Sequence, residues 1–99
     1  MLSKLQARTL IEQELQSIAE CEVVILDEAT QDHDWGWVFF YQSREYVETG
    51  APTSMLAGNA PYIINKSTGE IVVTGTARPT VEYVQDYQKR LQDGVHGAA

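Results

Sequence analysis

"GWVFFYQSREYVETG", residues Gly36 to Gly50, is the stretch whose reading decides the fold. With Trp35 counted, two Trp and two Phe fall within six positions. Successive side chains of a strand point to opposite faces. The run therefore places Trp37, Phe39 and Tyr41 on one side and Val38, Phe40 and Gln42 on the other. It reads as the longest strand of the chain and is apolar on both faces, so the question is what covers each face.

Upstream, "CEVVILDE" is β-branched and apolar and predicts a first strand. "ATQDHD" then interrupts it with polar, turn-forming residues and reads as a loop. Downstream, "ETGAPTSMLAGNAP" reads as a loop punctuated by Gly50, Pro52, Gly58 and Pro61. "YIINKSTGEIVVTG" reads as a hairpin, two β-branched runs joined by a turn from Asn65 to Gly69.

Helical periodicity brackets these strands. "SKLQARTLIEQELQSIA" opens with Ser3 and Gln6 in capping-box spacing and carries Ala7, Leu10, Ile11, Leu15 and Ile18 as one apolar stripe. "RPTVEYVQDYQKRLQDG" predicts a second helix, with Pro79 in its first turn, Gly94 as its C-cap and an inward stripe of Val81, Val84, Tyr87 and Leu91. The expected order is helix, four strands, helix, with residues 95–99 as a tail. Short connections favour antiparallel pairing and a two-layer α+β domain with both helices on the sheet face of Trp37, Phe39 and Tyr41. The other face, carrying Val38 and Phe40 with Val24, Val72 and Thr74 beside them, is then expected to lie open, the alternative being that the helices cover opposite faces.

The chain has 99 residues and predicts a single domain spanning 1–99, burying roughly 60–70% of its unfolded surface. A net charge of −7, with no run of Lys or Arg, is the wrong sign for nucleic acid and for anionic membranes. A basic protein partner is electrostatically permitted, although mild acidity also serves solubility alone. The N-terminal residues lack a signal-like apolar run and Cys21 is the only cysteine, so the expected compartment is the cytoplasm.

Little chemistry is encoded. His33 stands between Asp32 and Asp34, but adjacent side chains on an extended segment diverge, and no further ligands are evident. Cys21, between Glu20 and Glu22, lacks the electropositive surroundings that activate a thiol and reads as a packing residue. No phosphate loop, nucleophile elbow or metalloprotease motif occurs. No enzyme activity, metal or cofactor is expected.

Three segments, "WGWVFFYQSREYVETG", "LAGNAPYIINKSTGEIVVTGT" and "PTVEYVQDYQ", together resemble the YrhB-like domain, or immunity protein 35 family, over about residues 35 to 88. The resemblance implies a small bacterial α+β protein without a catalytic motif that binds and neutralises the toxin of a polymorphic or contact-dependent system. A chaperone-like holdase for unfolded chains is the alternative it carries. It also implies structural roles: turns at Gly58 and Gly69, a strand start at Pro61, and core positions at Trp37, Phe39 and Ile71.

The expected partner surface joins two parts. Asp27, Glu28, Asp32 and Asp34 would steer a basic toxin surface, with Trp35 as the anchor. Val38 and Phe40 would add the open apolar face, which also suits a homodimer.

Overall fold

Ser3 opens α1 (Lys4–Ile18) as the capping box predicts: its N–H donates to Gln6 Oε1 at 2.9 Å and its hydroxyl accepts from the Gln6 N–H at 3.2 Å. The computed structural model describes residues 1–18, 22–50 and 60–97. Cys21, Pro52 and Gly58 lie outside the described residues.

After α1 come β1 (Val23–Ile25), a 3-10 turn (Asp27–Ala29), β2 (Gln31–His33), β3 (Gly36–Phe39) and β4 (Tyr41–Ser43). A short helix, α2 (Arg44–Thr49), precedes β5 (Tyr62–Asn65), β6 (Ile71–Val73) and α3 (Thr80–Gly97). Among the described residues all pairing is antiparallel, in a four-stranded sheet of order β2-β3-β5-β6 and a two-stranded sheet of β1 and β4. The α+β class, with a helix at either end of a mainly antiparallel arrangement, is as the sequence implies.

Several particulars differ. The aromatic run is not one strand. It breaks at Phe40, so β3 pairs with β2 and β5 while β4 pairs with β1. "ATQDHD" is not wholly a loop, because Gln31–His33 pairs with Gly36–Val38 across a turn at Asp34 and Trp35. The polar side chains of β2 suit an edge strand, where charge discourages further pairing. α2 was unforeseen; its six residues carry no apolar stripe, and its start is fixed by Ser43, whose hydroxyl accepts from the Tyr46 N–H at 3.1 Å. α3 continues through Gly94, which therefore does not cap it.

The largest correction concerns layering. Trp37, Phe39, Tyr62 and Ile64 pack with Ile25 against Ala7, Ile11 and Leu15 of α1. Val38 and Ile63, one residue out of phase, pack against Val84 and Tyr87 of α3, with Phe40, Val72 and Leu91 around them. The helices cover opposite faces, giving three layers where two were expected. All residues of β3 and β5 are buried, and a strand pair apolar on both faces needs cover on both. Ile71 packs at the margin of the α1-side core, whereas Val81, placed in the inward stripe by periodicity, is 57% exposed.

The turn from β5 to β6 is built as its sequence suggests. Asn65 Oδ1 accepts from Ser67 N–H at 2.8 Å and Thr68 N–H at 3.1 Å, and Gly69 takes φ 75°, a left-handed conformation that glycine adopts without strain. Gly36 has a different reason to be glycine: a Cβ there would run into the Ile64 carbonyl of the adjoining strand. Gly36→Ala should therefore destabilise the domain by about 2 kcal/mol or more, measured by urea unfolding. An unchanged midpoint would mean that β3 and β5 are farther apart than this pairing requires.

Candidate functional site

The expected acidic loop folds back onto α1. Asp27 forms a two-point ion pair with Arg8, Nε to Oδ1 at 2.7 Å and Nη2 to Oδ2 at 3.2 Å. Asp32 pairs with Lys4 at 3.0 Å. The Arg8 guanidinium, chiefly through its hydrogen bond, holds the Asp27 carboxyl below the ordinary carboxylate range, and Asp27 in turn raises Arg8. Glu28 and Asp34 are exposed and make no ion pair among the described residues. The four carboxylates are thus split, two tied to α1 and two free.

Trp35 sits in the β2–β3 turn, half-buried at the seam with α3. Its ring stacks on His33, with centroids 4.7 Å apart and planes 8° from parallel, and meets Tyr87 edge-on at 5.0 Å. The indole Nε1–H is buried and has no hydrogen-bond partner among the described residues. His33, rather than joining Asp32 and Asp34 in a metal site, contacts Gln31 Oε1 through Nε2 at 3.1 Å. The Tyr87 hydroxyl accepts from Asn65 Nδ2 at 3.1 Å and donates to Glu70 Oε1 at 3.3 Å; Glu70 also pairs with Arg90 at 2.6 Å. Burial is the main cause of the raised Tyr87 pKa.

The two apolar residues expected on an open face are not on one. Val38 is fully enclosed beneath α3, and Phe40 is half-buried against the same cluster. Of the expected set, Asp27, Glu28, Asp32 and Asp34 are accessible, Trp35 and Phe40 are partly so, and Val38 belongs to the core.

A feature absent from the sequence reading is a groove of about 400 Å³ between α1 and β1. Arg8, Glu12, Leu15 and Gln16 form the α1 wall, Val23 to Ile25 the opposite side, and Glu22 and Arg44 the rim. Each arginine is held by two carboxylates: Arg8 by Glu12 and Asp27, Arg44 by Glu22 at 2.6 Å and Glu48 at 2.8 Å. The four charged groups on the lining balance, and Asp27 and Glu48 just outside it bring the six-group cluster to two net negative charges. This matches the charge distribution of the whole chain. Residues 1–59 carry ten acidic and three basic side chains, residues 60–99 four of each, so the entire net charge of −7 lies in the first part. That split was legible in the sequence; the groove was not, because Arg44 reaches it only through the unforeseen α2.

Among the described residues, no group of three or more His, Cys, Asp or Glu side chains is arranged to hold a metal ion, and no helix is long and apolar enough to cross a membrane. The described residues thus form a small acidic α+β domain that presents an ion-paired acidic turn, a His33–Trp35–Tyr87 ring cluster and a groove beside β1.

The family model described as Immunity protein 35 matches residues 5–88, and the chain belongs to that family. The match takes in α1 as well as the region from Trp35 onward. The "Uncharacterized protein YrhB" of Escherichia coli (strain K12) is 55% identical over 53 residues, which are 54% of this chain and 56% of that protein. The chain thus matches little more than half the length of this relative. No solved structure matches.

The ion pair that anchors the acidic loop makes a pH-dependent prediction. A lowered Asp27 pKa contributes stability above the ordinary carboxylate pKa, and this is lost as pH falls through the lowered value. Asp27→Asn should cost less than about 1 kcal/mol at neutral pH, since the pair is exposed, and the gap from wild type should close in acid. Urea unfolding of both proteins across pH 2–7 checks this; a gap that widens in acid would contradict it.

Proposed function

We propose that this protein is an immunity protein that binds the toxin domain of a bacterial polymorphic or contact-dependent system and neutralises it by occlusion, without catalysis, in the cytoplasm. The observation that carries this reading is the family match over residues 5–88. Its support from geometry is the concentration of negative charge on the β1–β2 loop, on β2 with the turn that follows it, and on α2, which suits a basic toxin surface. Glu28 and Asp34, free of ion pairs among the described residues, supply long-range attraction. Asp27 and Asp32, already bound to α1, shape the loop as well as adding charge. Trp35 and Phe40 contribute the apolar contact they still expose, while Val38 acts from within the core by holding β3 in place.

Co-expression with the toxin encoded beside it is the direct test. Rescue of growth together with a stable complex on gel filtration is the expected result; killing that continues, with no complex formed, would overturn the proposal. Rates divide the contributions further. Exposed charges act mainly on encounter and are screened beyond about 8–10 Å at physiological salt. Glu28→Gln with Asp34→Asn should therefore slow association at low salt and have little effect on dissociation, measured by surface plasmon resonance. Equal association rates at all salt concentrations would exclude steering by this loop.

A further inference from the structure

Val23 to Ile25 of β1 line the α1 groove, and the β1 edge away from β4 has no strand partner among the described residues. In the β1–β4 ladder the Arg44 N–H donates to the Glu22 carbonyl at 3.0 Å, and the Leu26 N–H to the Phe40 carbonyl at 2.8 Å. These two contacts define the hydrogen-bonded positions; Val23, opposite Ser43, and Ile25, opposite Tyr41, occupy the intervening ones. In an antiparallel pair the N–H and C=O groups of the intervening residues point away from the partner strand. Val23 and Ile25 therefore direct their backbone groups away from β4, and no backbone partner meets them there among the described residues.

We propose that this groove receives an extended basic segment of the partner protein, which adds to β1 as a third strand of the small sheet. The inference rests on the reading of this chain as a toxin-binding protein and names the surface and the binding mode. Strand addition takes its affinity from main-chain hydrogen bonds and its selectivity from alternate side chains. Here the main-chain groups are those of Val23 and Ile25. Selectivity comes from the walls and their rim: Glu12 and Glu22 on the lining share Arg8 and Arg44 with Asp27 and Glu48 just outside it, so the lining itself balances while the cluster around it carries two net negative charges, suited to lysine or arginine on the incoming strand. Gln16, exposed on the α1 wall, adds an uncharged donor and acceptor. The other apolar edge, β6, also turns the backbone groups of Ile71 and Val73 outward. It lies in the part of the chain where acidic and basic residues balance, and so offers a basic strand no comparable attraction.

The test uses the intact protein and a short synthetic peptide of alternating lysine and valine, followed by amide NMR. Chemical-shift changes and slowed exchange at Val23 and Ile25, with shifts along Glu12 and Gln16, are expected; a peptide of alternating glutamate and valine should produce none. Val23→Pro removes an outward N–H without breaking the ladder to β4, as edge strands tolerate, and should weaken peptide binding at least about tenfold. Val73→Pro should leave it unchanged. Gln16→Lys, an exposed helix substitution, provides a second variant should Val23→Pro unfold, and should also weaken the lysine peptide. Perturbation at Ile71 and Val73, no perturbation at all, or concentration-dependent pairing of β1 with a second copy would each overturn the proposal. The toxin assay separates the two levels. If Val23→Pro neutralises the toxin as wild type does, the groove assignment falls and the immunity reading stands. If the lysine peptide docks as described but the toxin is never bound, the immunity reading falls alone.

Discussion

Two neighbouring strands that are apolar on both faces set the terms for this structure. β3 and β5 are buried throughout, with Trp37 opposite Ile64, Val38 opposite Ile63 and Phe39 opposite Tyr62. Consecutive pairs present alternate faces, so no single helix can remove both sets from water. α1 and α3 take one face each. A fully buried Phe- or Ile-sized side chain is worth roughly 1.5–3 kcal/mol relative to an exposed one, which makes leaving either face open costly in a domain of this size.

The rest of the architecture accommodates that central pair. Its flanks, β2 and β6, are short; β2 is polar and secured to α1 by the Lys4–Asp32 ion pair, while the β6 side is joined to α3 through Glu70, Arg90 and Tyr87. At Phe40 the chain leaves the large sheet, and β4 turns to pair with β1. This departure produces the second sheet, brings Arg44 and Arg8 to the same groove, and leaves β1 with one edge unpaired among the described residues. The candidate surfaces are thus consequences of how the central strands are enclosed.

The sequence disclosed the elements with strong local signals. Ser3 and Gln6 marked the start of α1, Asn65 to Gly69 marked the hairpin turn, and alternation separated Trp37 and Phe39 from Val38. It did not disclose which sheet face each helix would cover. A helical stripe identifies the apolar side of a helix, but the landing face depends on crossovers that leave no periodic trace. β2 was hidden because Gln31, Asp32 and His33 resemble a loop, and α2 because six residues cannot display a stripe. The acidic residues of the candidate surface were legible as charges; their pairing with Lys4 and Arg8, from an element far off in sequence, was not.

The proposed immunity role rests on family membership and on the uneven distribution of charge, whereas the proposed strand docking depends on the two-sided enclosure of the central strands, which separates β4 from β3. Val38 tests that enclosure most directly, because one-sided packing would expose it and the structure buries it completely. Urea unfolding of Val38→Ala should show a loss of about 2 kcal/mol with an unchanged denaturant slope, the combined effect of lost transfer free energy and a residual cavity beneath α3. A loss below about 0.5 kcal/mol, the range of ordinary surface substitutions, would mean that this face is open to water and would contradict the account.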